Sequence, residues 1–232
     1  MLAERLHKLV HHLSSDLLGG PRPWLFATVV NLQKGTMLPF LLGVAWWTGN
    51  RSTAAWTYLA LHGGYGIVWL IKDFAFPDPR WQIRVTLAGG LASLVGVLGW
   101  YSTFGWLMFT RPTPTYPVDE PYWLALCVLL SVTGTAIMIA ADAQKTFTLR
   151  AKPGLITDGM FRYVRHPNYL GEMMIYASFA MLVQHWLPWV VLAAVWTLVF
   201  APSLVMKEKS LSRHAGWSEY RARTAWLIPG LL

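Results

Sequence analysis

The sequence predicts an all-α fold, a polytopic membrane helical bundle with about six to seven transmembrane helices and an N-terminal amphipathic helix. Three observations carry this. Of 232 residues, 55% are hydrophobic and only 13% charged, where a soluble domain has about a quarter charged. Mean hydropathy is positive, at +0.40. Apolar runs near the roughly 20 residues needed to cross hydrocarbon recur along the whole chain. With Cys127 as the single cysteine, no intramolecular disulfide can form, and its apolar surroundings suit a small core residue.

The first twenty residues are not apolar enough for a cleavable signal. Leu2, Leu6, Leu9, Leu13 and Leu17 recur at steps of three and four, one face of a helix lying on a surface. His7 and His11 are four apart, but no third ligand accompanies them and no metal is expected. "GGPRP" ends this helix. Spans are expected at about 24–48, 54–73, 84–108, 122–142, 168–184 and 187–206. The first carries Asn31, Gln33 and Lys34. The third ends in the aromatic stretch "WYSTFGWLMF". The last two are joined around His185 as a tight helical hairpin. No internal repeat is visible, so 1–232 reads as a single integral membrane domain.

With the N-terminus in the cytoplasm, sixteen Lys and Arg fall in inner segments and only Arg51 and Arg111 outside. That asymmetry follows the positive-inside rule. It accounts for the net charge of +8 without a nucleic-acid partner. It also predicts a multi-pass protein with both termini cytoplasmic and membrane lipids as partners.

Ten of those basic residues crowd into 143–167 and 207–232, more than topology requires. In "RHPNYLGE" the residue before Pro167 is pushed from helical geometry, while Pro167 suits the first helical position. The fifth span should start there, its N-terminus aimed at the loop, and free N–H groups at a helix start attract anions. Arg162, Tyr163, Arg165 and His166 flank that start. Asn168, Tyr169 and Glu172 follow it inward, and an intramembrane carboxyl is costly and usually functional. Asp142, Gln144, Lys145 and Arg150 leave the fourth span. Glu208, Lys209, Tyr220 and Arg223 leave the sixth. Three polar segments thus meet on one face and suit a phosphate-rich nucleotide.

The strings "ADAQK", "FRYVRHPNYLGE" and "EKSL…GWSEYRARTAWLIP" resemble the C-terminal domain of steroid 5α-reductases, sterol reductases and their bacterial relatives. This domain is related to that of the isoprenylcysteine carboxyl methyltransferases. The resemblance spans about 140–232. Asn168-Tyr169-Leu170-Gly171-Glu172 looks like the NADPH-dependent reductases, whereas Arg165-His166-Pro167 occurs in both groups. It implies NADPH held by 122–232, a substrate side formed by 1–121, and reduction of a C=C bond in a lipophilic, steroid- or enone-like molecule. The alternative it implies is an S-adenosylmethionine-dependent membrane methyltransferase. A non-catalytic membrane protein is a third possibility. The surplus of Lys and Arg favours the polyanionic cofactor.

In the first half, Gln33 looks like the reductases' early-helix Gln, while Lys34 stands where they carry Glu. Tyr65 lies in the region of their substrate tyrosine. Gln33, Lys34 and Tyr65 are therefore the candidate catalytic residues. They are expected to line a cavity and hold a substrate carbonyl, with the Tyr65 hydroxyl or Lys34 ammonium facing the developing enolate oxygen.

Overall fold

The computed structural model describes residues 2–229, and the last residue of the "LIPG" ending lies outside them. Helix α1 (Leu2–Ser15) is followed by a short strand β1 (Trp24–Leu25) and two helices, α2 (Phe26–Thr48) and α3 (Thr53–Ala75). Strand β2 (Arg84–Val85) pairs antiparallel with β1 and leads into α4 (Leu87–Ser93). A π-turn at Leu94–Leu98 and a 3₁₀ turn at Gly99–Tyr101 join α4 to α5 (Ser102–Thr110). Then come α6 (Glu120–Ala151), α7 (Pro167–Val183) and α8 (Trp186–Val195). A second π-turn at Trp196–Phe200 leads into α9 (Ala201–Leu211), and α10 (Trp217–Arg223) closes the fold.

The six stretches expected as spans are largely helical, the fourth running on to Ala151 and the sixth to Leu211. Three helical stretches, Leu87–Thr110, Glu120–Ala151 and Trp186–Leu211, are long and apolar enough to cross a membrane. The others have physical reasons for falling short of that measure. Polar residues interrupt α2 and α3, among them Gln33, Lys34, His62 and Lys72, and α7 has only 17 residues. The outer surface is also apolar, with Trp46 88% and Phe74 93% exposed. Continuous apolar surface of this kind is rare on soluble monomers. These features mark a membrane protein.

Two close backbone contacts set the bundle. Helices α6 and α7 are the most extensively packed pair. A Cβ on Gly134 would stand 2.6 Å from the Gly171 carbonyl oxygen, and one on Gly171 would strike the Gly134 carbonyl in return. Small residues at both positions let the backbones meet. Helices α2 and α3 meet similarly where Gly66 faces the Lys34 carbonyl. The α7–α8 hairpin turns at Gln184, which takes a left-handed conformation, and the His185 imidazole caps α8 by accepting from Leu187 N at 3.1 Å. Helix α1 packs against α4 and α9. Thr86 fixes its end, its amide and hydroxyl donating to the carbonyls of Ser15 and Leu17 at 2.9 Å each.

Gly171→Ala should destabilise the protein by about 1–3 kcal/mol, since the obstruction is backbone that cannot swing away. Gly96→Ala, where the added carbon meets nothing within 4 Å, should be close to neutral. Thermal unfolding in detergent would check both; equal midpoints would remove the close contact as the constraint.

Candidate functional site

At the basic-loop end of the bundle lies a cavity of about 500 Å³. Five cationic side chains line it: Arg80, Lys145, Arg150, Arg165 and Lys207, with Asp78 the lone carboxylate among the lining residues. His166 and Asn168, at the start of α7, and Tyr220 of α10 complete its polar wall. Pro167 is the first residue of α7, and His166 N-terminal to it is non-helical, as proline requires. The helix start therefore opens at this cavity.

A ladder of ion pairs leads from the interior to the cavity. The Lys72 Nζ of α3 lies 2.8 Å from Asp142 of α6, and Lys145 bridges Asp142 at 3.4 Å and Asp78 at 3.2 Å. Arg80 closes the ladder on Asp78 at 2.8 Å. Burial pushes the Asp78 carboxyl up, but the Arg80 hydrogen bond and the Lys145 charge hold it well below the usual carboxylate range. The ladder ties the α3–β2 loop to α6.

Arg165 acts mainly as a clamp. Its Nε donates to both Glu208 oxygens, at 3.0 and 3.2 Å, and its Nη1 donates to the Thr224 carbonyl. Its amide donates to the Ala225 carbonyl at 3.0 Å, and the Ala225 amide to the Tyr163 carbonyl at 2.9 Å. His166 Nε2 meets Glu208 Oε1 at 2.8 Å. Burial lowers the His166 imidazole despite Glu208. Its Nε2–H donates to Glu208, whose carboxylate can only accept. Burial pushes the Tyr220 phenol up to about 12, so it remains a donor, bonded to the Phe161 carbonyl at 2.8 Å. Residues 220–225 are thereby stitched over the loop before α7.

The residues singled out from the sequence divide clearly. Lys145, Arg150, Arg165, His166, Asn168 and Tyr220 line the cavity. Asp142 and Glu208 stand behind it as partners. Gln144 clips the loop, donating to the Asp158 carbonyl at 3.1 Å and accepting from Met160 N at 2.8 Å. Tyr169 lies under Lys207, whose Nζ is 4.1 Å from the ring centre. Arg162 and Tyr163 are exposed and lie against each other away from the cavity, with the guanidinium 5.4 Å from the ring centre. The expected flank of Arg162 and Arg165 is thus replaced by a clamp and an outward-facing residue. Lys209 faces Glu4 of α1 at 3.7 Å, and Arg223 is exposed.

The sequence reading passed over Asp78, Arg80 and Lys207 as binding residues. Helix phase held the signal for Lys207, which shares a face with Ser210 and Leu211 at steps of three and four, all on the cavity. Nothing in "PDPRW" announces that its Asp and Arg meet α6.

Below the cavity, one face of α7 carries Asn168, Glu172 and Tyr176 at steps of four. Among the described residues Glu172 has no ion pair within 4 Å. Tyr176 accepts a hydrogen bond from the buried Lys34 ammonium. Rings surround that cation: Tyr65 at 4.6 Å, Tyr176 at 5.0 Å, Trp69 at 5.1 Å and Tyr101 at 5.9 Å from Nζ to centre. Such contacts stabilise a desolvated cation by about 2 kcal/mol or more in total. The Tyr65 hydroxyl points at the Met138 sulfur, 3.7 Å away. Both polar atoms of the buried Gln33 side chain lack a partner. Gln33, Lys34 and Tyr65 are packed in the core, and none lines the 500 Å³ cavity. Tyr176, Tyr101 and Trp69 are the members of this cluster that were not expected from the sequence; the four-residue step from Glu172 could have found Tyr176.

A family model described as a protein of unknown function, DUF1295, matches residues 100–224. The chain belongs to the DUF1295 family. The matched segment runs from the residue before Tyr101 to Thr224, the residue Arg165 clamps. It contains most of the cavity wall but not Lys34, Tyr65, Asp78 or Arg80. An uncharacterized protein of Schizosaccharomyces pombe is 35% identical over 65 residues, covering 25% of this chain and 23% of that relative. The chain thus matches less than a quarter of that relative's length. No solved structure matches.

Two outcomes follow from the clamp and the ladder. Arg165→Ala leaves Glu208 without its guanidinium and frees the 220–225 segment, so limited proteolysis should cut that segment faster and thermal stability should fall. A cost of about 3–5 kcal/mol is expected where a buried pair loses one partner. The depressed Asp78 carboxyl contributes stability that is present above the ordinary carboxylate pKa and lost as pH falls below it. Asp78→Asn should therefore unfold earlier than the parent at pH 7, and the two midpoints should converge in acid. A gap that widened on acidification would contradict the ion-pair ladder.

Proposed function

We propose that this protein is a membrane-embedded, NADPH-dependent reductase of a C=C bond in a lipophilic, enone-like substrate, with six spans and the basic end in the cytoplasm. The observation that carries the reading is the cavity itself: five cations against one carboxylate at a helix start. A cavity so charged suits a phosphate-bearing polyanion better than the cationic sulfonium of S-adenosylmethionine.

Because Arg165 is engaged with Glu208 and Thr224, the cations with spare donors are Arg150 and Lys207, with Arg80 and Lys145 beside them sharing Asp78. These would hold the phosphates. Asn168, the second residue of α7, would meet the nicotinamide end, with Glu172 one turn below it. Bound NADPH would supply a hydride to the substrate's β-carbon and leave as NADP⁺.

The chain's own residues would deal with the charge that develops on the substrate oxygen. An ammonium only donates. Lys34 therefore occupies the Tyr176 oxygen as a donor, and the Tyr176 hydroxyl keeps its own hydrogen, which would turn from the neighbouring Tyr65 to a substrate carbonyl. The Tyr65 hydroxyl, set against a weak sulfur acceptor, is also free to turn. These donors would stabilise the enolate oxygen, and the Tyr65 or Tyr176 hydroxyl, recharged from the Lys34 ammonium, would give up the proton that the α-carbon takes to complete the saturated product. Burial excludes water from that step.

Titration of the purified protein should show NADPH binding more tightly than NADH, with S-adenosylmethionine weakest. Tighter binding of S-adenosylmethionine would favour the methyltransferase. Lys207→Ala and Arg150→Ala should each weaken NADPH about tenfold or more, the loss of a charge-assisted contact. Tyr176→Phe should reduce enone-dependent NADPH oxidation by about 10²–10³ at nearly unchanged NADPH affinity. Full turnover in that variant would remove Tyr176 from the chemistry.

A further inference from the structure

Asp78 is the lone carboxylate among the residues that line the basic cavity, and local structure fixes it there. Pro77 and Pro79 stiffen the chain on either side. The Asp78 Oδ1 accepts from the Arg80 amide at 3.0 Å and caps the short turn Pro79–Trp81. Trp81 wedges that turn against the bundle, its ring centre 5.1 Å from that of Trp69 and 5.7 Å from that of Phe26.

The carboxylate sits on two cations at once. Arg80 donates from Nε to Oδ1 at 3.2 Å and from Nη2 to Oδ2 at 2.8 Å, one bond to each oxygen. The Lys145 Nζ lies 3.2 Å from Oδ2. Two parallel bonds from a guanidinium to one anionic group are also how arginine grips a phosphate. Asp78 therefore fills the edge of Arg80 that a phosphate would use. The edge can be reached, because the Arg80 side chain is 55% exposed. Arg150 and Lys207 differ, since neither has an ion-pair partner among the described residues. An anion meets those two without displacing a carboxylate.

We propose that Asp78 stands in for a phosphate monoester, which takes Arg80 and Lys145 by exchange while the Asp78 side chain turns out to water. Resting on the reductase reading, this adds which group of the cofactor these two residues take. The incoming group has to offer more charge than the carboxylate it replaces. A phosphodiester carries a single charge, as does each half of a dinucleotide's diphosphate bridge, and it suits Arg150 and Lys207. A phosphate monoester carries about −1.5 to −2 near pH 7, with three acceptor oxygens. In NADPH the 2′-phosphate is the one monoester, so Arg80 and Lys145 are its seat.

The experiment titrates full-length protein in phosphatidylcholine nanodiscs with adenosine 2′-monophosphate, by calorimetry, below the unfolding midpoint of every variant. Asp78→Asn keeps a capping side chain and removes the competing charge, so it should bind this nucleotide about tenfold more tightly than the parent. Asp78→Ser, which can also cap, should do the same. In an Arg80→Met background, Asp78→Asn should bring no gain, because the benefit runs through the freed guanidinium. A gain that persisted without Arg80 would mean charge repulsion alone and would overturn the proposal. Equal or weaker binding in both Asp78 variants, or no binding in any variant, would overturn it too. NADPH is titrated on the same samples. Tighter adenosine 2′-monophosphate in Asp78→Asn without NADPH binding would uphold the exchange and overturn the reductase reading. NADPH binding that Asp78→Asn leaves unchanged would do the reverse. Phosphatidate also presents a phosphate monoester, so the titrations are repeated with it in the nanodisc. If it abolished binding of both nucleotides, the exchange would stand with a lipid as its source, and the reductase reading would fall.

Discussion

Everything at the basic end depends on how closely α6 and α7 approach. With glycine on both sides, at Gly134 and Gly171, each backbone lies against the other's carbonyl. No side chain separates them, so their relative height and rotation have little freedom. That contact decides which α7 residues look inward. Asn168, Glu172 and Tyr176 form one row because α7 cannot turn away from α6. It also sets the height of the α7 start beside Lys145 and Arg150, and so the cavity's shape. The remaining polar contacts build on this geometry: Lys145 bridges to Asp78, and Arg165 draws the 220–225 segment over the top.

The polar groups of this chain are economical in a physical sense. Inside an apolar bundle an unpaired polar group is expensive. Lys72, Asp142, Lys145, Asp78 and Arg80 therefore form a continuous ladder. Lys34 is handled differently, by a hydroxyl and a ring of aromatic faces. Gln33 is an exception, with neither amide atom paired, as are the Ser93 hydroxyl and the Trp196 and Trp226 indoles. An exception of that kind beside a buried cation distinguishes the region from ordinary core. It is the sort of local cost that stays in a fold when a site needs it.

The helices were legible in the sequence because their signals are local. Apolar length, the Pro167 start and the turn at His185 need no tertiary information, and the observed limits differ from the expected ones by a few residues at most ends. Convergence of the three polar segments was legible too, since each lies at the same end of an antiparallel bundle. Roles within the cavity were not. Arg162 and Arg165 are three residues apart, yet one is exposed and the other is locked to Glu208 and Thr224, because the chain between them is loop rather than continuous helix. Lys207 takes the place expected of Lys209 for a simpler reason, helix phase: Lys209 points at Glu4 of α1 and Lys207 at the cavity. The pairing of Asp78 with Lys145 joins positions 67 apart in the chain, a contact that no local pattern contains.

The two halves of the chain are bound together more tightly than a division at residue 121 implies. Lys34 and Tyr65 belong to the first half, yet Lys34 donates to Tyr176 of the second and the Tyr65 hydroxyl faces Met138 there. Asp78 and Arg80 also belong to the first half, yet they form one wall of the basic cavity. In the proposed reductase, substrate side and cofactor side would therefore divide by depth rather than by sequence. The basic end is built from both halves, and so is the buried Lys34 cluster. A single row on α7, from Asn168 through Glu172 to Tyr176, runs between them. Any chemistry that couples a charged molecule in the upper cavity to an apolar one below would have to pass along that row. The rigidity that Gly134 and Gly171 impose on α7 would then be the condition that keeps the two aligned.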